Sequence, residues 1–326
     1  MPSLRSRPSS FSVPPAAAAG RWAGFTLIEL MVTLVILSIL AALTLMGLAG
    51  VRRNAKIAKT KNTIRKIDAV IRPMYDSYRT RRVTLDASGN RRDASLEKLA
   101  RLRFLMATEM PDSWAEITLF PPPFSPSAAA RRYIREKDRL EQLPRFKAQN
   151  PATGSTYGDL YAAAETLFLI VAYGGYEPDA LESFRPDEIG DVDGDGAREF
   201  LDAWGQPIMF VRWPIGYQPV SGPPPAQDPD PLDPFRQTGD FAVLPLIYSS
   251  GPEGSLYDPL GAESGYGVRS DVITPPWPQL LVTWLLEGGT PTWTWAAIDP
   301  PAQRPGSVLD PAKARDNITN HDLLRK

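Results

Sequence analysis

The sequence predicts an α+β protein in which one long N-terminal helix precedes shorter helices and a few strands near the C-terminus. Residues 25–50 form an apolar run whose single charge is Glu29. Apolar residues then recur at helical spacing over much of residues 52–173, whereas short apolar runs of strand length appear only after position 206. The 326 residues suffice for one or two domains with a sizeable core.

The apolar run is long enough to span a membrane, since about 20 apolar residues cross the hydrocarbon of a bilayer. An ionised side chain in hydrocarbon costs roughly 2.5–3.5 kcal/mol or more, so the carboxylate of Glu29 is expected to have a function. The 24 residues before the run contain Arg5, Arg7 and Arg21 and no acidic residue. A secretory signal peptide has its cleavage site after the apolar run, but here the small residue Gly24 precedes the run.

Residues 24–29, Gly-Phe-Thr-Leu-Ile-Glu, resemble the N-terminus of prepilins, the precursors of type IV pilins and type II secretion pseudopilins. Gly24 stands before the cut, Phe25 after it, and Glu29 in fifth place of the mature chain. The resemblance implies that the prepilin peptidase/N-methyltransferase cuts after Gly24 and methylates the new amine of Phe25. It also implies that Glu29 faces this amine, in its own or a neighbouring subunit, and sets the register of assembly. An ordinary single-pass anchor is the alternative.

The charges on either side of the run bear on its orientation. The basic leader would stay in the cytoplasm under the positive-inside rule, but the far side is basic too, with Arg52, Arg53, Lys56, Lys59 and Lys61. In prepilins the leader side is cytoplasmic, which implies a single-pass inner-membrane protein with a periplasmic body. The expected domains are a cleaved leader at 1–24, a transmembrane and assembly helix at 25–78, and a periplasmic globular domain at 79–326.

Four helices are predicted from the spacing of apolar residues. The first covers residues 25–78, where the membrane run is followed by a stripe of Ile57, Ile64, Ile67, Ile71 and Met74. The others are predicted at 94–107, 129–143 and 157–173, and the glycine pair after position 173 ends the last of them.

Strands are predicted at 207–213 and 241–248, with weaker candidates at 280–286 and 292–298. Residues 214–238, rich in Pro, Gly, Asp and Gln, predict an exposed loop between the first two strands. This order resembles that of pilin-like proteins, in which a lollipop-shaped molecule has its long helix packed on a small antiparallel sheet. The helices predicted within residues 79–190 then look like an insertion into that plan.

Residues 191–202 contain a closely spaced acidic pattern. Loop positions 1, 3, 5, 9 and 12 are carboxylates and position 6 is glycine, in the order Asp191, Asp193, Asp195, Gly196, Glu199 and Asp202. The pattern resembles an EF-hand or dockerin calcium loop, although no flanking helix pair is evident. Calcium takes six to eight oxygen ligands, which alternating carboxylates in a tight turn can present. Calcium is therefore the expected cofactor, and an acidic surface turn is the alternative.

Three further segments resemble motifs of type II secretion major pseudopilins. Residues 201–208 resemble the Asp-Pro-Trp-Gly-Asn-Pro motif, whose Trp lies in the core, as Trp204 is expected to do. Residues 248–254 resemble the Ser-x-Gly-x-Asp-Gly segment, and residues 316–321 resemble the Asp-Ile-x-Asn-Trp end of the calcium loop that these two segments close. By this resemblance Glu253 and Asp316 are two further candidate calcium ligands.

Composition limits the function. The formal net charge of −1 becomes −4 if the leader and its three Arg are removed, which argues against nucleic acid as a partner. The chain has no cysteine and one histidine, His321, so Cys–His chemistry is impossible and a Ser–His–Asp triad would rest on that residue alone. The sequence has no P-loop and no dinucleotide-binding glycine motif. We therefore expect no enzymatic activity.

The sequence thus predicts a structural pseudopilin that assembles through its N-terminal helix into a type II secretion-like filament for protein export. The expected partners are the prepilin peptidase/N-methyltransferase, other copies of the chain, minor pseudopilins and the inner-membrane assembly platform. One alternative is a type IV pilin for adhesion, motility or DNA uptake. Another is a membrane-tethered, calcium-dependent binding module that does not polymerise.

Overall fold

The computed structural model describes residues 25–85, 91–118, 124–151, 154–218, 228–253, 277–287, 293–297, 304–309 and 314–324. The predicted leader at 1–24, and with it Gly24, lies outside these residues. The chain divides into two compact units, Met1–Val51 and Arg52–Lys326.

Helix α1 extends from Leu27 to Ser77 and confirms the long N-terminal helix that the sequence predicts. In the first unit its described side chains are exposed, and almost all of them are apolar. The hydroxyls of Thr33, Ser38 and Thr44 each donate to a backbone carbonyl three or four residues earlier, so these three groups need no outside partner. The helix is long and apolar enough to cross a membrane.

From Arg52 onwards α1 belongs to the second unit, where its apolar stripe joins the core. The predicted stripe is confirmed, with Ile64, Ile67, Ile71 and Met74 buried and Ile57 partly buried. Pro73 lies inside the helix, which ends at Ser77 and is followed by a 3-10 turn, Tyr78–Thr80. The core-facing part of α1 is therefore an integral part of the folded body.

The described residues contain six further α-helices: α2 (Arg91–Glu109), α3 (Ala128–Leu140), α4 (Tyr157–Leu160), α5 (Ala162–Tyr173), α6 (Trp277–Glu287) and α7 (Asn320–Leu324). Helices α2 and α3 confirm the predictions at 94–107 and 129–143. The helix predicted at 157–173 is divided at Tyr161, whose φ of −122° and ψ of 27° leave the helical range. Helix α2 packs along α6, and α5, buried along most of its length, lies against strands β2 and β3 described next.

The strands are short and form two antiparallel sheets. Strand β1 (Ile189–Gly190) pairs with β2 (Glu199–Phe200), and β3 (Met209–Val211), β4 (Leu246–Ser249) and β5 (Ile318–Thr319) form a sheet in that order. In the second sheet Phe210 lies opposite Ile247, and Ser249 lies opposite Ile318. Strands β3 and β4 confirm the predictions at 207–213 and 241–248.

The strand predicted at 280–286 is wrong, because these residues belong to α6. Burial along the segment follows a helical period: Leu281 and Val282 are buried, whereas Gln279 and Thr283 on either side are exposed. A short apolar run cannot be assigned to helix or strand by periodicity alone. Pro278, in the first turn of the helix, suits a helix start because its missing N–H would have no partner within the helix there.

The strand predicted at 292–298 is also wrong, since its described part contains a 3-10 turn, Trp295–Ala297. Trp293 and Trp295 are buried, and the guanidinium carbon of Arg103 lies 5.2 Å and 4.1 Å from the centres of their rings. The two indole rings therefore make cation–π contacts with the buried Arg103, and the described residues of this segment form a turn instead of a strand.

Two arginines compensate carboxylates inside the core. Arg212, next to β3, donates to both oxygens of Glu116 at 2.7 Å and 2.8 Å, and both side chains are fully buried. Arg103, on α2, donates to Asp230 at 2.8 Å. These pairs tie α2 and the turn at 114–118 to the sheet region. The predicted α+β class is confirmed, and the arrangement is consistent with a pilin-like fold.

Candidate functional site

The start of α1 is defined by a reciprocal pair of polar contacts between Thr26 and Glu29. The backbone N–H and the hydroxyl of Thr26 each donate to Glu29 Oε2 at 2.9 Å, and the Glu29 N–H donates to Thr26 Oγ1 at 3.3 Å. This is a capping box, which satisfies N–H groups that the first helical turn leaves free. Within the described residues, Phe25 comes directly before the box and is exposed.

The Glu29 carboxylate has capacity beyond this box. Among the described residues only Thr26 donates to it, and both donors use the same oxygen, Oε2. The other oxygen can accept from a further donor. The capping contacts meanwhile hold the side chain at the N-terminal end of the helix.

The acidic segment lies in a β-hairpin rather than between two helices. Strands β1 and β2 pair with Gly190 opposite Glu199, so residues 191–198 form the connecting loop. The two oxygens of Asp191 accept from the N–H groups of Gly194 at 2.6 Å and Gly196 at 3.1 Å. Both glycines have positive φ, 75° and 100°, which L side chains rarely adopt. The glycines therefore let the loop fold back over Asp191.

The structure brings most of the predicted ligands together and adds one from outside the loop. Ligand atoms of Asp191, Asp193 and Asp195 lie within 4.8 Å of one another, and so do those of Glu165, Asp193 and Glu199. Glu165 is on α5 and was not predicted. The sequence does contain a feature that marks Glu165, because it is the one charged residue in the apolar helix Ala162–Tyr173. Only the packing of α5 against β2, however, places it beneath the loop.

Four of these acidic side chains are buried close together, and their burial and mutual repulsion shift their pKa values; they belong to Glu165, Asp193, Asp195 and Glu199. Burial and then repulsion from neighbouring carboxylates raise the pKa of Glu199 to about 9 and that of Asp193 to about 7. Burial raises the pKa of Asp195 to about 6, and burial with three acidic neighbours raises that of Glu165 well above its ordinary value. Arg145 opposes the shift at Asp193 and Asp195. A shared positive charge would relieve the repulsion.

The ligand chemistry of the cluster is that of a hard cation. Its side chains offer carboxylate oxygens alone, and calcium takes hard oxygen ligands of this kind. The cluster therefore has the ligand composition of a calcium-type site.

Asp202, the last residue of the acidic pattern, has a different environment. Its oxygens accept from the N–H groups of Trp204 at 2.7 Å and Gln206 at 2.9 Å and from the hydroxyl of Ser249 at 2.7 Å. It thus braces the turn before β3 against β4. Trp204, in that turn, is partly buried and packs on the edge of the core.

The two segments expected to close a second calcium loop are adjacent. Pairing of β4 with β5 sets Ser249 opposite Ile318, and a Cβ on Gly251 would lie 2.2 Å from the carbonyl oxygen of Asp316. The carboxylate of Asp316 pairs with Arg53 at 3.4 Å. Glu253 ends the 3-10 turn Gly251–Glu253, but its side chain lies outside the described residues.

Comparison with known proteins bears on the N-terminus. Residues 23–45 match the family described as the prokaryotic N-terminal methylation motif. No curated protein and no solved structure matches the chain significantly. The chain therefore carries a prepilin-type N-terminus, and this motif with the apolar helix indicates a membrane-anchored protein of the type IV pilin-like or pseudopilin-like class. Proteins with this motif are processed by prepilin peptidase and serve as structural subunits that assemble with other pilin subunits, rather than as enzymes.

In the presence of a chelator, the contribution of the acidic cluster to the stability of the folded protein should fall as the pH rises from about 5 to about 9. The unfolded carboxyl groups titrate near pH 4, so in this range the folded chain keeps protons that the unfolded chain has released. This contribution is complete below the unfolded pKa values. It is lost as the pH rises through the folded values of about 6 for Asp195, about 7 for Asp193 and about 9 for Glu199.

Urea unfolding of the full chain in detergent micelles, followed by tryptophan fluorescence at several pH values, measures this dependence. The Asp193→Asn/Glu199→Gln variant is the control, because it lacks two of the titrating groups and its stability should change less with pH. A free energy of unfolding that stays constant or increases over the range in the unmodified protein would contradict the proposed repulsion.

Proposed function

We propose that the chain is a structural pseudopilin subunit of a type II secretion-like filament that serves protein export. The observation that carries this proposal is the motif at 24–29, whose last three residues begin an apolar helix that starts at Leu27. Prepilin peptidase/N-methyltransferase cuts after Gly24 and methylates Phe25. The helix then holds the subunit in the inner membrane, with the body in the periplasm, until the assembly platform moves it into the filament.

Contacts between subunits follow from the polar groups at the head of α1. In hydrocarbon, contacts between apolar helix faces do little to determine how two neighbouring helices are aligned along their axes. A single polar contact can therefore fix the register of one helix against the other. Glu29 is the one charged side chain of the apolar run. In this proposal it accepts from the methylated amine of Phe25 in a neighbouring copy or a minor pseudopilin, while the Thr26 contacts hold it in place.

Two features of the body favour a pseudopilin over a type IV pilin. The turn with Trp204 leads into β3, as the Asp-Pro-Trp-Gly-Asn-Pro motif leads into the sheet of major pseudopilins. Gly251 also closely approaches Asp316, which joins the two segments that resemble the ends of the pseudopilin calcium loop.

Deleting the gene for this chain distinguishes a pseudopilin from a type IV pilin, because the two predict different phenotypes. Loss of the chain should abolish export of a secreted enzyme into the medium and leave surface motility, adhesion and DNA uptake unchanged. The reverse pattern would establish the type IV pilin alternative. Crosslinking between the α1 helices of neighbouring copies distinguishes the pseudopilin and the pilin from a membrane-tethered binding module. The two filament subunits should give a series of crosslinked oligomers, and the binding module should give none.

Glu29→Val should leave processing intact but reduce filament assembly about tenfold or more, which corresponds to at least about 1.4 kcal/mol per contact. Valine inserts into the membrane readily but cannot accept from the amine. Sheared filaments and the ratio of processed to unprocessed chain are measured by immunoblot.

Thr33→Val is the matched control for this variant. It also changes a polar residue of the membrane helix into valine, but the Thr33 hydroxyl donates only to the Leu30 carbonyl of its own helix. Normal filaments from Glu29→Val would contradict the role of Glu29, whereas an equal loss in both variants would assign the defect to helix insertion.

We also propose that the acidic segment at 191–202, which includes the hairpin loop, binds calcium. Support comes from the three aspartates of the loop, whose ligand atoms lie within 4.8 Å of one another. The Glu253 and Asp316 region is a second place where calcium could bind in this proposal. Calcium would neutralise the repulsion within the loop and stabilise the folded body before and after assembly.

Calcium at a hundredfold excess over its Kd should stabilise the folded full chain by about 2.7 kcal/mol relative to chelator. The melting temperature in detergent micelles, followed by circular dichroism, should rise correspondingly. Replacing Asp191, Asp193 and Asp195 together by Asn should remove most of the rise. A rise that survives these changes places the metal elsewhere, with the Glu253 and Asp316 region next to be tested. If calcium causes no rise in the unmodified chain, the loop is an acidic turn and the proposal is wrong.

A further inference from the structure

The acidic cluster extends deeper than the loop that the sequence pattern defines. Glu165 lies on α5, is 1% exposed, and accepts from the indole N–H of Trp114 through Oε2. Its other oxygen, Oε1, is buried and accepts no hydrogen bond from any residue that the structure describes. Glu199, which is fully buried, likewise has an Oε1 without a described partner.

The carboxylate oxygens of the loop differ in whether they already accept a hydrogen bond from a described residue. Both oxygens of Asp191 accept from loop N–H groups. Asp193 and Asp195 each use Oδ1 for the N–H two residues later and have a buried Oδ2 with no hydrogen-bond partner in the described part of the chain. The oxygens without described donors therefore belong to Asp193 and Asp195 in the loop and to Glu199 and Glu165 below it.

The charges around these oxygens call for a cation. The carboxylates of Asp193, Asp195 and Glu199 all repel a charge on Glu165, whereas the hydrogen bond from the Trp114 indole favours that charge. Arg145 acts on Asp193 and Asp195, at the loop side of the cluster. Unpaired charges that are removed from water are strongly destabilising, so the carboxylates on the deep side of the cluster need a positive partner in order to be ionised there.

We propose that a calcium-type divalent cation is centred on Glu165, Asp193 and Glu199, with Asp195 supplying a further oxygen. This assignment rests on the proposed calcium binding by the loop and moves the ion from the loop surface onto helix α5. Asp191 has a different role: its hydrogen bonds to Gly194 and Gly196 shape the loop over the ion.

The surroundings are suited to such an ion. A cavity of about 310 Å³ is lined by Trp114, Glu165, Phe168, Gly196, Ala197 and Arg198 among others, so it reaches the Glu165 side of the cluster. Calcium takes six to eight oxygen ligands, and water in this cavity can complete the coordination that the carboxylates begin. Binding would tie the β1–β2 hairpin to α5, which itself packs on β2 and β3.

Glu165→Gln tests this assignment in the full chain in detergent micelles, with calcium chloride as the ligand and magnesium chloride as a comparison. Thermal melts in calcium and in chelator are combined with calorimetric titration of calcium. We expect the variant to bind calcium at least about tenfold more weakly and to lose most of the calcium-dependent rise in melting temperature. Its melting temperature in chelator should stay close to that of the unmodified chain, because the amide keeps the size and shape of the carboxyl group and adds no charge to the buried site.

Glu188→Gln is the matched control. Glu188 is also a buried carboxylate of the second unit, but it accepts from Thr63 and Lys66. This change should lower the melting temperature equally in calcium and in chelator and leave the calcium affinity unchanged. Asp191→Asn should weaken calcium binding less than Glu165→Gln does.

The possible results separate the two proposals. If the unmodified chain shows neither a melting shift nor calorimetric binding with calcium, the loop proposal and this inference are both wrong. If it binds calcium and Glu165→Gln keeps its affinity, the loop site stands and this inference is overturned. If Glu165→Gln does not fold, Trp114→Phe decides: it removes the indole donor that positions Glu165, so weaker calcium binding supports the inference and unchanged binding overturns it.

Discussion

A carboxylate that leaves water needs a positive charge or several hydrogen-bond donors nearby, and this requirement organises the molecule. In the core the requirement is met by arginine: Arg212 binds both oxygens of Glu116, and Arg103 binds Asp230. These pairs hold α2 and the turn at 114–118 to the sheet region. Removing one partner of such a pair typically costs about 3–5 kcal/mol, because the other charge stays buried.

Two other places present the same requirement, and there the described residues supply less positive charge. The membrane helix carries Glu29, whose described contacts come from the polar but uncharged Thr26. The hairpin and α5 bring Glu165, Asp193 and Glu199 together with Arg145 on the loop side alone. We propose a different positive partner for each place. Glu29 would pair with a terminal amine in hydrocarbon, and the cluster would bind a hydrated divalent ion beside a cavity. The same physical constraint thus links assembly of the subunit to the stability of its body.

The sequence predicts well those elements whose own residues determine them. Periodic apolar residues predict α1, α2 and α3, and turn residues around short apolar runs predict β3 and β4. Elements whose structure depends on contacts with distant parts of the chain are missed or misassigned by the sequence patterns. The two-residue strands β1, β2 and β5 exist through pairing, and α6 has an apolar sequence that fits either structure. Likewise, local spacing predicts the loop aspartates, but it cannot predict Glu165, because the packing of α5 on β2 brings it there across more than twenty residues.

The intact mass of the chain, extracted from the membranes of a cell that makes it together with a prepilin peptidase, shows directly whether an amine is created beside Glu29. We predict a chain that begins at Phe25 and carries one methyl group on its amine. That chain places the positive charge four residues before Glu29. A mature chain that retains residues 1–24, or that begins after the apolar run, would contradict the prepilin-type account and leave Glu29 without its proposed partner.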